Sequence, residues 1–172
     1  HIGQFKIDHM GHAGNVDPAR GDIGCHQHPD LARTEFRHRL FALRLALLAL
    51  GVGEGDEVIT APNSDAGTAS AIYHVGAKPV FVDVEPDTMN LDAGLLEAAI
   101  TPRTKAILPV HPYGHPADMP RIMELARKHG LLVIEDACLA LGASIAGRGT
   151  GLWGEIGCFS FASTKHLGGF GS

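Results

Sequence analysis

The chain has 172 residues, 45% of them hydrophobic and 19% charged, with a formal net charge of -5 at pH 7. That suffices for one globular core, and the mild acidity leaves no electrostatic footprint for nucleic acid or an anionic membrane surface. No apolar run reaches the roughly 18 residues a membrane span needs, and no basic-then-apolar leader opens the chain, so the expected location is cytoplasmic.

Residues 1–40 carry histidines at 1, 9, 12, 26, 28 and 38, six of the eleven in the chain. Their apolar residues follow neither a period of 2 nor one of 3.6, and Gly, Pro and Asp are scattered among them. The run Cys25-His26-Gln27-His28 has the right atoms for a metal, but its ligands are too crowded for a tetrahedral site. This segment is expected to be an atypical, poorly packed leader outside the main domain. The three cysteines, Cys25, Cys138 and Cys158, have no metal-like spacing and read as reduced thiols.

From Phe41 the pattern changes. FALRLALLALG predicts a buried amphipathic helix that Gly51 stops. GDEVIT then predicts a strand, AGTASAIYHVGAK a helix closed by Gly76, and PVFVDV a near-continuous apolar strand. DAGLLEAAI predicts a helix with Asp92 as N-cap, and KAILPV another strand. ADMPRIMELARKHG predicts a helix ended by Gly130, followed by the strands LLVIEDA and IGCFSF. Helices alternating with strands that are apolar on both faces predict an α/β fold, with a mostly parallel sheet sandwiched by helices.

Ligands of such sheets gather beyond the carboxyl ends of the strands. Two ionisable residues fall there: Asp136 after LLVIE, and Lys165 after IGCFSF. An acid at the end of an apolar strand is costly to bury without a cationic partner. Its plain reading is a helix N-cap, and that of Lys165 a surface charge. Together they match a second demand: pyridoxal phosphate needs a carboxylate at its ring nitrogen and a lysine to hold its aldehyde as a Schiff base. Ser160, Ser163 and Thr164 could hydrogen-bond a phosphate, and Gly168-Gly169 would let backbone approach it. Turn formation accounts for the serines equally well.

The segments ALRLALLALGVGEGDEVIT, HVGAKPVFVDVEPDTMNLD, AAITPRTKAILPVHPYGHPADM, ARKHGLLVIEDA and GEIGCFSFASTKHLGGFG lie in one order from Ala42 to Gly171. In that order they resemble the large domain of the DegT/DnrJ/StrS family of sugar aminotransferases. The resemblance implies a fold-type I enzyme with pyridoxal 5'-phosphate, a nucleotide-linked keto sugar as substrate, an amino-acid donor (glutamate) and a homodimer. It implies that Lys165 holds the cofactor and moves protons during amino transfer, that Asp136 meets the pyridinium nitrogen, and that Ser160 contacts the phosphate. On this reading 41–172 are part of a large domain whose remainder is missing, and the chain alone is expected to be inactive.

The chain departs from the family pattern at several positions. A Ser-Gly-Thr run that binds phosphate is replaced by His38-Arg39-Leu40, and Asp65 stands where an aromatic stacks on the ring. Leu139 replaces a glutamine beside the phenolic oxygen, and Leu141 a histidine. A non-catalytic member that keeps only the fold is therefore the alternative reading. Another is a different fold-type I enzyme such as a carbon–sulfur lyase, against which HPYGHPADM speaks. Lys165 speaks against the dehydratase branch, which carries histidine there.

Overall fold

The inner strands carry consecutive apolar residues (Val58-Ile59, Ala106-Ile107-Leu108, Val133-Ile134), so they need cover on both faces. The computed structural model, which describes residues 29–162 and 165, meets that need with two helical layers. The chain divides into two units, His1–Glu35 and Phe36–Ser172, and the account below concerns the second. The Cys25-His26-Gln27-His28 run and the rest of 1–28 lie outside the described residues.

Five parallel strands form the sheet in the order β2-β1-β3-β4-β7: β1 is Glu57–Thr60, β2 Lys78–Phe81, β3 Thr104–Leu108, β4 Leu132–Asp136 and β7 Ile156–Cys158. The short antiparallel hairpin β5 (Ser144–Ile145) and β6 (Arg148–Gly149) stands apart from it. Side chains alternate across the sheet as strand geometry requires. Val58, Ala106, Leu108, Ile134 and Cys158 face Leu43, Ala46 and Leu47 of α1 (Pro29–Ala49) and Ala71 and Ile72 of α2 (Ala66–His74). Ile59, Ile107 and Val133 face Leu96 of α3 (Leu96–Ala99) and Met119, Ile122 and Ala126 of α4 (Met119–His129). The α/β sandwich expected from sequence is therefore present.

Three local expectations change. The first helix does not begin at Phe41; it starts at Pro29, so the boundary expected at residue 40 falls inside α1. Arg39, Leu43, Ala46 and Leu47 share one buried stripe at helical spacing, which extends the packed face upstream. The helix expected over 92–100 shrinks to the single turn α3, because the Asp92 carboxylate accepts from Gly94 N at 2.7 Å and closes a local turn instead of capping a helix. Strand β7 ends at Cys158 rather than Phe161. The cap of α4 is Asp118, which accepts from Arg121 N. Cys138 and Cys158 are free and buried, and burial pushes the Cys158 thiol up to about 11.

From β1 the chain crosses to β2 on one side and then to β3 on the other. Such a reversal opens a crevice at the carboxyl ends of the strands. No described helix is long and apolar enough to cross a membrane, and the described residues hold no metal-ligand cluster.

Candidate active site

Asp136 is the last residue of β4 and is 0% exposed. Its amide donates to Pro109 O at 2.9 Å and its carbonyl accepts from His111 N at 3.1 Å, which fixes it against the end of β3. Like Ile134 two residues earlier, it faces the α1–α2 layer. There it meets a partner that the sequence reading did not foresee. Arg39 of α1 donates to Asp136 Oδ2 from Nε at 2.9 Å and from Nη2 at 2.6 Å, while Thr68 Oγ1 of α2 donates to the same oxygen at 3.1 Å. Oδ1 accepts from Cys138 N at 3.3 Å. Asp136 is therefore an ion-pair acceptor and caps no helix.

Arg39 is 5% exposed. Burial works against its charge, but the charge and hydrogen bonds of Asp136 outweigh it and hold the guanidinium above its ordinary range. Its Nη1 also lies 3.5 Å from Asp65 Oδ2. Asp65 caps α2 by accepting from Gly67 N, and its side chain is 40% exposed. At the position expected to stack on a ring, the chain thus has a helix cap and a second anion for Arg39.

Beyond β7, Ser160 lines a cavity of about 250 Å³ with His38, Arg39, Ala42, Phe159, Phe161 and Ala162. Its Oγ accepts from Ala162 N at 3.4 Å. Lys165 is half-buried, and its amide donates to Ala162 O at 2.8 Å, which turns the chain just past that cavity. Leu139 is half-buried and brings no hydrogen-bonding side chain. Ser163, Thr164, Gly168 and Gly169 lie outside the described residues. The structure thus joins Asp136 to Asp65 through Arg39, and Arg39 to Ser160 across one cavity.

The opposite face of β4 carries a second buried carboxylate that sequence reasoning missed. Glu135 Oε1 accepts from Trp153 N at 2.6 Å and Gly154 N at 2.8 Å, and Oε2 accepts from Gly151 N at 2.8 Å. His111 Nδ1 accepts from Ala117 N, which leaves the proton on Nε2 to meet Glu135 Oε2 at 3.2 Å. Burial would raise the pKa of Glu135; the His111 contact and the three amides prevail and hold it below the ordinary carboxylate range.

The sequence pattern of the DegT/DnrJ/EryC1/StrS aminotransferase family matches residues 41–171. The chain is 58% identical over 130 residues to UDP-N-acetyl-3-dehydro-alpha-D-glucosamine 3-aminotransferase of Acidithiobacillus ferrooxidans, covering 76% of this chain and 35% of that protein. The crystal structure of DesV of S. venezuelae superposes with a TM-score of 0.75 at 49% identity, covering 77% of this chain and 36% of that one. The PLP-form of Spr1654 of Streptococcus pneumoniae gives 0.70 at 35% identity, over 74% and 36%. The chain spans about a third of the length of the proteins it matches.

Proposed function

Because the chain belongs to the DegT/DnrJ/EryC1/StrS aminotransferase family, whose cofactor is pyridoxal phosphate, we propose that it is part of an enzyme that moves an amino group from glutamate to a nucleotide-linked keto sugar. In this reading residues 41–172 belong to the cofactor-binding large domain, and the whole protein works as a cytoplasmic homodimer. Lys165 is the amine that attaches the cofactor, Asp136 the carboxylate for its ring nitrogen, and Ser160 a contact for its phosphate. The cofactor supplies an electron sink for the carbon that loses or gains the amine. The observation that carries the reading is Asp136, a fully buried carboxylate at the carboxyl end of β4.

As folded, the residues do not accept that ring. Arg39 already occupies the carboxylate of Asp136, and His38-Arg39-Leu40 offer no hydroxyl and no glycine to a phosphate. This favours a second reading, a member of the family that keeps the fold without the reaction.

The test is a full-length protein in which this chain is joined to the remainder of a relative. Lys165→Ala should abolish both the visible absorbance of the bound cofactor and amino transfer. Asp136→Ala should retain some cofactor and lose most of the rate. Borohydride reduction followed by peptide mapping should label Lys165; a label on Lys105 or Lys128 would refute the assignment. A full-length parent that binds no cofactor supports the non-catalytic reading instead.

A further inference from the structure

We infer that Arg39 is a tethered cation that stands in for the ring nitrogen at Asp136, so that this side chain and the cofactor compete for one acceptor. The inference rests on the proposed role of Asp136 and adds to it a device within the chain.

The geometry leaves the carboxylate little to offer. Oδ2 holds two guanidinium nitrogens and the Thr68 hydroxyl, and Oδ1 holds the Cys138 amide. Arg39 and Asp136 are both buried, so the pair is matched in charge and shielded from water. A buried carboxylate stripped of its cation is the costly state; the fold avoids it without any ligand.

The second anion supplies a way out. Asp65 lies 3.5 Å from Nη1, and its side chain is 40% exposed. A guanidinium that swings toward Asp65 keeps an ion pair while releasing Asp136. Arg39 also forms part of the wall of the cavity that Ser160 lines, so the same movement reshapes that cavity. A ligand that needs the open form binds more weakly in proportion to how seldom that form is populated. With the closed form holding about nine-tenths of the molecules, the apparent affinity falls about tenfold.

The experiment titrates pyridoxal phosphate into the 172-residue chain and its Arg39→Ala and Arg39→Gln variants. Binding is read by absorbance and by borohydride-trapped label, and circular dichroism checks that each variant is folded. Arg39→Gln keeps an amide donor for Asp136 without the charge, which guards against a variant that unfolds around an orphaned carboxylate. A gain in affinity of about tenfold or more in a folded variant is expected. The gain should vanish when Asp136→Asn is added. Equal affinity in parent and folded variants, including equal absence of binding, overturns the inference. Equal binding with label on Lys165 overturns it while leaving the aminotransferase reading intact. A gain whose label maps to another lysine upholds the competition at Arg39 but overturns the assigned attachment point.

Discussion

Glu135→Gln swaps one carboxylate oxygen for an amide nitrogen and changes nothing else in size. In the parent, Oε1 takes the amides of Trp153 and Gly154, and Oε2 takes Gly151 N and His111 Nε2. The better rotamer of glutamine keeps its oxygen toward Trp153 and Gly154. Its NH2 then faces two donors, Gly151 N–H and His111 Nε2–H. A tautomer switch at His111 gives no relief, because its Nδ1 would then turn a proton toward Ala117 N–H. Two buried donors lose their acceptor at about 1–3 kcal/mol each, so the loss is about 2–6 kcal/mol. That is a large share of the roughly 5–15 kcal/mol that holds a typical domain folded. At about 2–4 °C per kcal/mol, the melting temperature should fall by at least about 4 °C. Urea denaturation followed by Trp153 fluorescence measures the loss, and hydrogen exchange at Gly151, Trp153 and Gly154 should quicken together. An unchanged midpoint with slow exchange at those amides would refute the reasoning.

Gly154→Ala and Gly157→Ala should each cost about 1–3 kcal/mol or more, because the new Cβ would sit 2.3 Å from Val133 O and 2.2 Å from Gly151 O, both backbone atoms. Gly53→Ala, whose nearest contact would be 3.7 Å, is the tolerated control in the same denaturation series. Asp118→Ala removes the cap that accepts from Arg121 N and should cost about 1 kcal/mol by the same measurement. Glu57 is held down to about 2 by the Thr101 hydrogen bond and then by Arg103. Its folded value lies below its ordinary 4.5, so its contribution is full above pH 4.5 and is lost as pH falls toward 2. Melting curves across that window should be flatter for Glu57→Gln than for the parent.

The layered fold was legible because its signals are local. Consecutive apolar residues in VI, AIL and LVI mark two-faced strands, and Gly51, Gly76 and Gly130 adopt the positive φ that stops the chain after each helical pattern. Where a local signal misled, another local interaction had won: the Asp92 side chain prefers Gly94 N to the role of helix cap. The need of Asp136 for a cation was legible too. Its partner was not, since Arg39 lies 97 residues away in a stretch read as a leader. The available clue was a charge in line with Leu43, Ala46 and Leu47; a helix that buries that stripe must neutralise it. Glu135 gave even less notice. Its partners are backbone amides of a glycine-rich loop, and no side-chain pattern announces where such amides will point.

Those two neighbouring acids have a consequence for how β4 finds its alignment. In Leu132-Val133-Ile134-Glu135-Asp136 the apolar residues are nearly interchangeable, so a slip of one residue would put one apolar residue where another stands at little expense. Hydrophobicity alone therefore discriminates poorly between the two settings of the strand. A slip one way would bring Glu135, a methylene too long, to the guanidinium and leave Ile134 at the amide nest; a slip the other way would bring Asp136, a methylene too short, to the nest and leave Ala137 at the guanidinium. Polar partners that differ between the two faces thus serve as the key that selects one register from a pair of otherwise similar ones.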